Sequence, residues 1–176
     1  LGEVFTSPKL VGTNGILNVG TVYIGDIQYR NLRMEFKDGR VVSAVCDNFV
    51  ENGVIDQEAG HRLIVQGIMN GHETLPLGEF AIGTNTMAYV MAEQYGIAGK
   101  LPILIAEKMG PHFAMVDTCY GWSEDSPMYN PDGKEMIARD NEVSILRKED
   151  VSKAYFGVHT DITIPYDELG DICIHC

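Results

Sequence analysis

Residues 15–47, "GILNVGTVYIGDIQYRNLRMEFKDGRVVSAVCD", decide the fold. Apolar and polar residues alternate through the stretch, the two-residue period of a strand with one face buried. The alternation breaks at Gly20 and Gly25. Asp38-Gly39, between "LRMEF" and "RVVSAV", is a dipeptide that closes two-residue hairpins. Together these features predict a β-meander. Downstream, residues 55–71 place Ile55, Ala59, Leu63, Gln66 and Ile68 near helical spacing, with acids early and Gly71 at the end, which predicts a helix. "LGEFAIGTN" (77–85) reads as a strand entering a turn, and "TMAYVMAEQYG" (86–96) as a helix. "KLPILIAEKMG" (100–110) carries an apolar run ending near Glu107. "YFGVHTDITIP" (155–165) and "DICIHC" (171–176) read as closing strands. Between them and the middle of the chain, residues 120–142 hold two prolines, several acids and turn dipeptides. That stretch predicts a long flap over an active site. The expected class is α+β: one β-rich domain over residues 1–176 with helices grouped in the middle.

Composition narrows the function. Acids outnumber bases 25 to 13, giving a formal charge of −12, so neither nucleic acid nor an anionic membrane is expected as partner. No 18-residue apolar run and no charged-then-apolar leader is found, which predicts neither a membrane span nor a signal peptide. Cys46, Cys119, Cys173 and Cys176 are too few and too scattered for a disulfide framework, and a reduced, cytoplasmic setting is expected. The terminal "CIHC" has no second Cys or His pair at zinc-ligand spacing, so it reads as part of a plain strand. "LGEVFTSP" opens without an initiator Met and reads as the start of a piece from something longer.

In a strand, His159 and Asp161 of "VHTD" project from one face and Thr160 from the other. Glu3 and Glu79 each follow a glycine and precede an apolar β-run. His112 follows "GP", with Glu107, Asp117 and Tyr120 nearby. Taken singly, a glutamate at such a junction is most often solvated, and a histidine before an apolar run is more often a satisfied core residue than a ligand. As a set, two histidines and three carboxylates at strand edges suit a divalent ion such as Zn²⁺, Co²⁺ or Mn²⁺. Two ions would need several carboxylates, one of them bridging. A single ion would need only His112, His159 and Asp161. Spacing leaves both open.

These segments carry a resemblance. "GEVFTSP" is similar to the "GEVFTAP" of the M29 peptidases, the aminopeptidase T-type thermophilic metallo-aminopeptidases. "LRMEFKDGRVVSA" is similar to their "LEFKDGKVV", "LGEFAIGTN" to "LGEFALGTN", "EKMGPHFAM" to "EKIGGTIHIAL" and "VHTDI" to "IHWDL". The motifs keep their order and cover almost the whole chain. The resemblance implies the catalytic C-terminal domain of a two-domain metallopeptidase, with the family's N-terminal domain outside this sequence. It implies an activity that releases N-terminal residues from peptides through a water activated by two divalent metals. It implies Glu3, Glu79, His112, Tyr120, His159 and Asp161 as metal ligands, with Tyr120 one residue later than the usual spacing. It also implies Glu107 and Tyr120 in catalysis, a peptide substrate with a free N-terminus, and a homodimer. The loop between His112 and His159 is longer than the family's, and "AMVD" replaces its "ALG". The related ring-cleaving dioxygenases of dihydroxypyridines supply an alternative, with one Fe(II) on His112, His159 and Asp161. A non-catalytic module of the same fold is a third.

Overall fold

The computed structural model describes residues 2–118, 129, 131–134 and 140–173. The meander forms as the pattern predicts. Strands β2 (Gly15–Ile24), β3 (Ile27–Lys37) and β4 (Arg40–Val45) make an antiparallel sheet in the order β2-β3-β4. Lys37 pairs with Arg40 across Asp38-Gly39, and both turn residues have positive φ (47° and 68°), the signature of a type I′ turn. Gly25-Asp26 joins Ile24 to Ile27 in the same two-residue manner. The break at Gly20 is also real. Leu17 and Val19 are buried, and the next buried residue on the strand is Val22; opposite, Phe36, Met34 and Leu32 give way to Tyr29. Both strands slip their inward face by one residue where Asn31 adopts φ 48°, so the sheet stays apolar toward the core along its length.

Four further strands form a second antiparallel sheet in the order β1-β7-β8-β9: β1 (Glu3–Thr6), β7 (Leu77–Gly83), β8 (Pro111–Val116) and β9 (His159–Thr163). A short hairpin, β5 (Val50–Glu51) with β6 (Val54–Ile55), leads into helix α1 (Gln57–Gly67). The Asp56 carboxylate caps α1 by accepting the Ala59 N–H at 2.9 Å, and Glu58 sits in the first turn, where a negative charge suits the helix dipole. Helix α2 (Thr86–Tyr95) is capped by Asn85 and stops at Gly96 in the left-handed conformation. The apolar run after it forms one short helix, α3 (Ile103–Ala106), then a 3-10 turn at Glu107–Met109. The class is α+β, as the pattern predicts.

The core lies between the meander, α1 and the rear face of the second sheet. Val19, Tyr29, Leu32 and Met34 meet Ile64 and Ile68 of α1, together with Met115 of β8 and Ile162 of β9. Thr160 faces this side and donates its hydroxyl to the Ile68 carbonyl at 3.0 Å. The second sheet therefore has one face packed away and one left for polar side chains. Two strand expectations need correction. Of residues 155–165 only His159–Thr163 are strand, because Phe156 and Val158 give their N–H groups to the Asp117 carboxylate, not to a ladder. Asp171–Cys173 form no strand, and the last three residues of "CIHC" lie outside the described residues. Most of the expected flap, residues 120–128, 130 and 135–139, lies outside them too.

Candidate metal centre

Strand register brings the polar residues together. Glu3 pairs with Gly83, Ala81 with His112 and His112 with Thr163; one row along, Glu79 pairs with Ala114 and Ala114 with Asp161, and Val116 pairs with His159. Directly paired residues share a face, and each strand repeats it every second residue. So Glu3, Glu79, His112, His159 and Asp161 all stand on the open face. Between them lie Gly83, Ala81 and Ala114, with Phe5 and Thr163 on the same face in the edge strands. The glycine and two alanines leave room above the sheet for whatever the larger side chains surround. Gly83 matters further: a Cβ there would lie 2.3 Å from the Lys108 carbonyl carbon, so only glycine lets the 107–109 turn close over this face.

The five residues form two groups that share Glu79. Glu3, Glu79 and His112 make one; Glu79, His159 and Asp161 make the other. His112 Nε2 lies 3.3 Å from Glu3 Oε2 and 3.7 Å from Glu79 Oε1. His159 Nε2 lies 3.6 Å from the other Glu79 oxygen, Oε2, and 3.5 Å from Asp161 Oδ1. The two oxygens of Glu79 thus face different histidines. Asp161 Oδ1 also lies 4.0 Å from His112 Nε2.

Backbone carbonyls aim both rings. His112 Nδ1 lies 3.3 Å from the Gly110 carbonyl and His159 Nδ1 lies 2.5 Å from that of Asp117, so each Nδ1–H donates outward and each Nε2 points at the carboxylates. Asp117 earns its position through strain. Val116 has φ 66°, an uncommon state for a β-branched residue, at the turn that presents this carbonyl. The Asp117 carboxylate then accepts the N–H groups of Phe156 and Val158, at 2.8 and 3.1 Å, and fixes the entry to β9.

The electrostatics are those of a site short of positive charge. Asp161 hydrogen bonding lifts the His159 imidazole to about 9, and the Asp117 carbonyl adds to it. Burial alone would lower His112, but Glu79, the Gly110 carbonyl and Asp161 raise it on balance. Asp161 is held low: its burial is outweighed by His159 and His112. Glu107 is pushed up, first by burial and also by Asp161, although Lys108 opposes this. The Lys108 ammonium lies between two carboxylates, 2.5 Å from Glu3 Oε1 and hydrogen-bonded to Glu107.

Two buried carboxylate oxygens of the site stay without a hydrogen bond, Glu3 Oε2 and Asp161 Oδ1, one in each group. Leaving a buried carboxylate oxygen unpaired is costly unless something else binds it. Donor atoms 3.3–4.0 Å apart also bracket the spacing of about 3.4 Å expected between tetrahedral ligands of a Zn²⁺-sized ion. Nitrogen with oxygen suits Zn²⁺, Co²⁺ or Mn²⁺. The residues present fit a divalent ion, and the two groups could hold one each.

Five of the six expected ligands, Glu3, Glu79, His112, His159 and Asp161, are therefore neighbours, and Glu107 flanks them. Tyr120 lies outside the described residues. Lys108, the carbonyl of Asp117 and the floor of Ala81, Gly83 and Ala114 were not anticipated as parts of the site. The "EK" pair and the Gly-x-Ala-x-Glu spacing, read backward from Gly83 to Glu79, were the available signals.

No family model matches the chain, and no curated protein matches it. Among solved structures, the chain is similar to wild-type AmpT from Thermus thermophilus, at 15% identity and a TM-score of 0.49. The match covers 93% of this chain and 33% of that one, so the chain spans about a third of the neighbour's length.

Proposed function

We propose that this chain is the metal-binding catalytic domain of a metallo-aminopeptidase, holding two divalent ions that share Glu79. The observation that carries the reading is the division of Glu79: Oε1 faces His112 in one ligand group and Oε2 faces His159 in the other. A mononuclear dioxygenase site on His112, His159 and Asp161 has no use for Glu3, whose Oε2 is buried beside His112 without a hydrogen bond. The motif resemblance to the M29 peptidases supports the same chemistry.

Glu3 and His112 would hold one ion, His159 and Asp161 the other, and Glu79 both. Bound there, the ions would acidify a coordinated water and polarise the scissile carbonyl. The chain's own residues do the rest. The Gly110 and Asp117 carbonyls keep Nε2 of each histidine free of a proton once a cation is present. Glu107, raised in pKa by burial, would accept a proton from the attacking water and return it to the leaving amine. Lys108 holds Glu107 and Glu3 in position. The surrounding carboxylates attract a substrate's free α-ammonium, which favours exopeptidase action.

The test combines metal counting and turnover. Zinc or cobalt measured by plasma mass spectrometry should approach two per chain, and leucine 4-nitroanilide should be hydrolysed by the full-length protein with either metal. One ion per chain, or no turnover with any metal, removes the reading.

A further inference from the structure

A cavity of about 350 Å³ opens beside Asp161, within the usual size of a small-molecule site. β2 lines it through Thr21–Tyr23, together with residues of α2, α3 and the end of β9. Val22, Ile103, Ala106 and Met109 give it a strip of apolar surface, beside the hydroxyl-bearing Thr21, Tyr23, Tyr89 and Thr163. Its inner end is Asp161, which is 5% exposed and whose Oδ1 has no hydrogen bond. Its outer rim is acidic. Glu93 projects from α2, and Asp167 and Glu168 come from the turn after β9; all three are solvent-exposed. Two of these carboxylates are held in place by neighbours: Asp167 accepts the Tyr89 hydroxyl at 2.8 Å, and Glu168 accepts the Gly20 N–H. Among the described residues, no Lys, Arg or His lines the cavity.

We propose that this cavity receives the first side chain of the substrate and favours a basic one, lysine or arginine. The proposal rests on the aminopeptidase reading above. A long basic side chain has two parts that match the two zones: a hydrocarbon stem that packs on apolar walls, and a charged head that stays at a polar edge. Starting from a backbone held at Asp161, the stem runs over Val22, Ile103 and Met109, and the head reaches Glu93, Asp167 and Glu168. A leucine side chain meets the same walls but leaves the rim unused. A glutamate side chain meets three like charges.

Calorimetric titration of the zinc-loaded and metal-free chain with L-argininamide, L-leucinamide and L-isoglutamine tests this without relying on turnover. Argininamide should bind about tenfold more tightly than leucinamide, and isoglutamine most weakly. Glu93→Gln combined with Asp167→Asn, two shape-conserving changes at exposed positions, should erase the arginine preference. Equal binding of argininamide and leucinamide, or a preference that survives the double substitution, overturns the proposal. Parallel assays with arginine and leucine 4-nitroanilides separate it from the reading beneath. Selective argininamide binding without hydrolysis of either anilide upholds the cavity and removes the peptidase. Hydrolysis of both at equal kcat/KM, with no difference in amide binding, removes the cavity and keeps the peptidase.

Discussion

Glu79→Gln tests the proposed sharing of one carboxylate between two ions. The substitution keeps the volume of a side chain that is 2% exposed and removes its charge and one of its two acceptor oxygens. An ion present at a hundredfold excess over its Kd stabilises the folded state by about 2.7 kcal/mol, so two contribute about 5 kcal/mol. For a chain of this size about 2–4 °C accompanies each kcal/mol, so saturating zinc should raise Tm by about 10–20 °C. Glu79 touches both groups, so the variant should lose well over half of that rise. Its metal-free melt should stay within about 1 kcal/mol of wild type, because it removes a negative charge from a cluster that already holds Glu3, Asp161 and Glu107. Circular dichroism melts in zinc and in EDTA, paired with metal counts, give the answer. A Glu79→Gln protein that keeps the full zinc-dependent rise, with two ions bound, refutes the shared-ligand geometry.

Other expectations follow from the same site and its surroundings. His159→Ala and Asp161→Ala should each abolish metal-dependent activity of the full-length protein and should also lower the metal-free melt, because each removes one partner of the His159–Asp161 pair; Thr160→Val should leave activity largely intact, since its hydroxyl faces Ile68. Activity retained in Asp161→Ala would discard the metal assignment. Asp117→Ala should weaken zinc binding by about 10–100-fold in a competition assay, because it releases the loop that aims His159; unchanged affinity would mean the ring is fixed by other contacts. His61, on α1, donates to the Ala44 carbonyl and to Glu73, the carbonyl being the larger cause of its raised pKa. A raised folded value means the stabilisation is fully present below the ordinary histidine range and disappears as pH climbs through that raised value. The stability gap between wild type and His61→Ala should thus narrow from pH 6 to pH 9 and stay within about 1 kcal/mol, given the partial exposure. A gap that widens with pH would contradict this sign.

The meander was legible because its signals are local. Asp38-Gly39 requires positive φ at two consecutive residues, and few other dipeptides supply it cheaply. His159 and Asp161 were legible as a pair because two-residue spacing on a strand leaves only one arrangement. That five candidate ligands on four strands converge was not readable from spacing, since it depends on register between segments far apart in sequence; motif resemblance carried that step. Lys108 was missed because a lysine after a glutamate is ordinarily solvated, and nothing local shows that Gly83 brings it down onto the sheet. The short length of β9 was missed for a similar reason. Asp117 claims the N–H groups of Phe156 and Val158 from 39 and 41 residues away, which no window on residues 155–165 contains.

The sheet order β1-β7-β8-β9 has a consequence for assembly of the protein in time. Glu3 sits on one edge strand, His159 and Asp161 on the other, and these edges come from the first and last parts of the described chain. A nascent chain that has emerged only through β8 owns Glu3, Glu79 and His112 but lacks the other outer edge. The second ligand group closes only when β9 pairs with β8, and such distant pairings form late. Metal loading of that group would therefore act as a completeness check: a truncated or misregistered chain presents half a site, and only the finished sheet presents both.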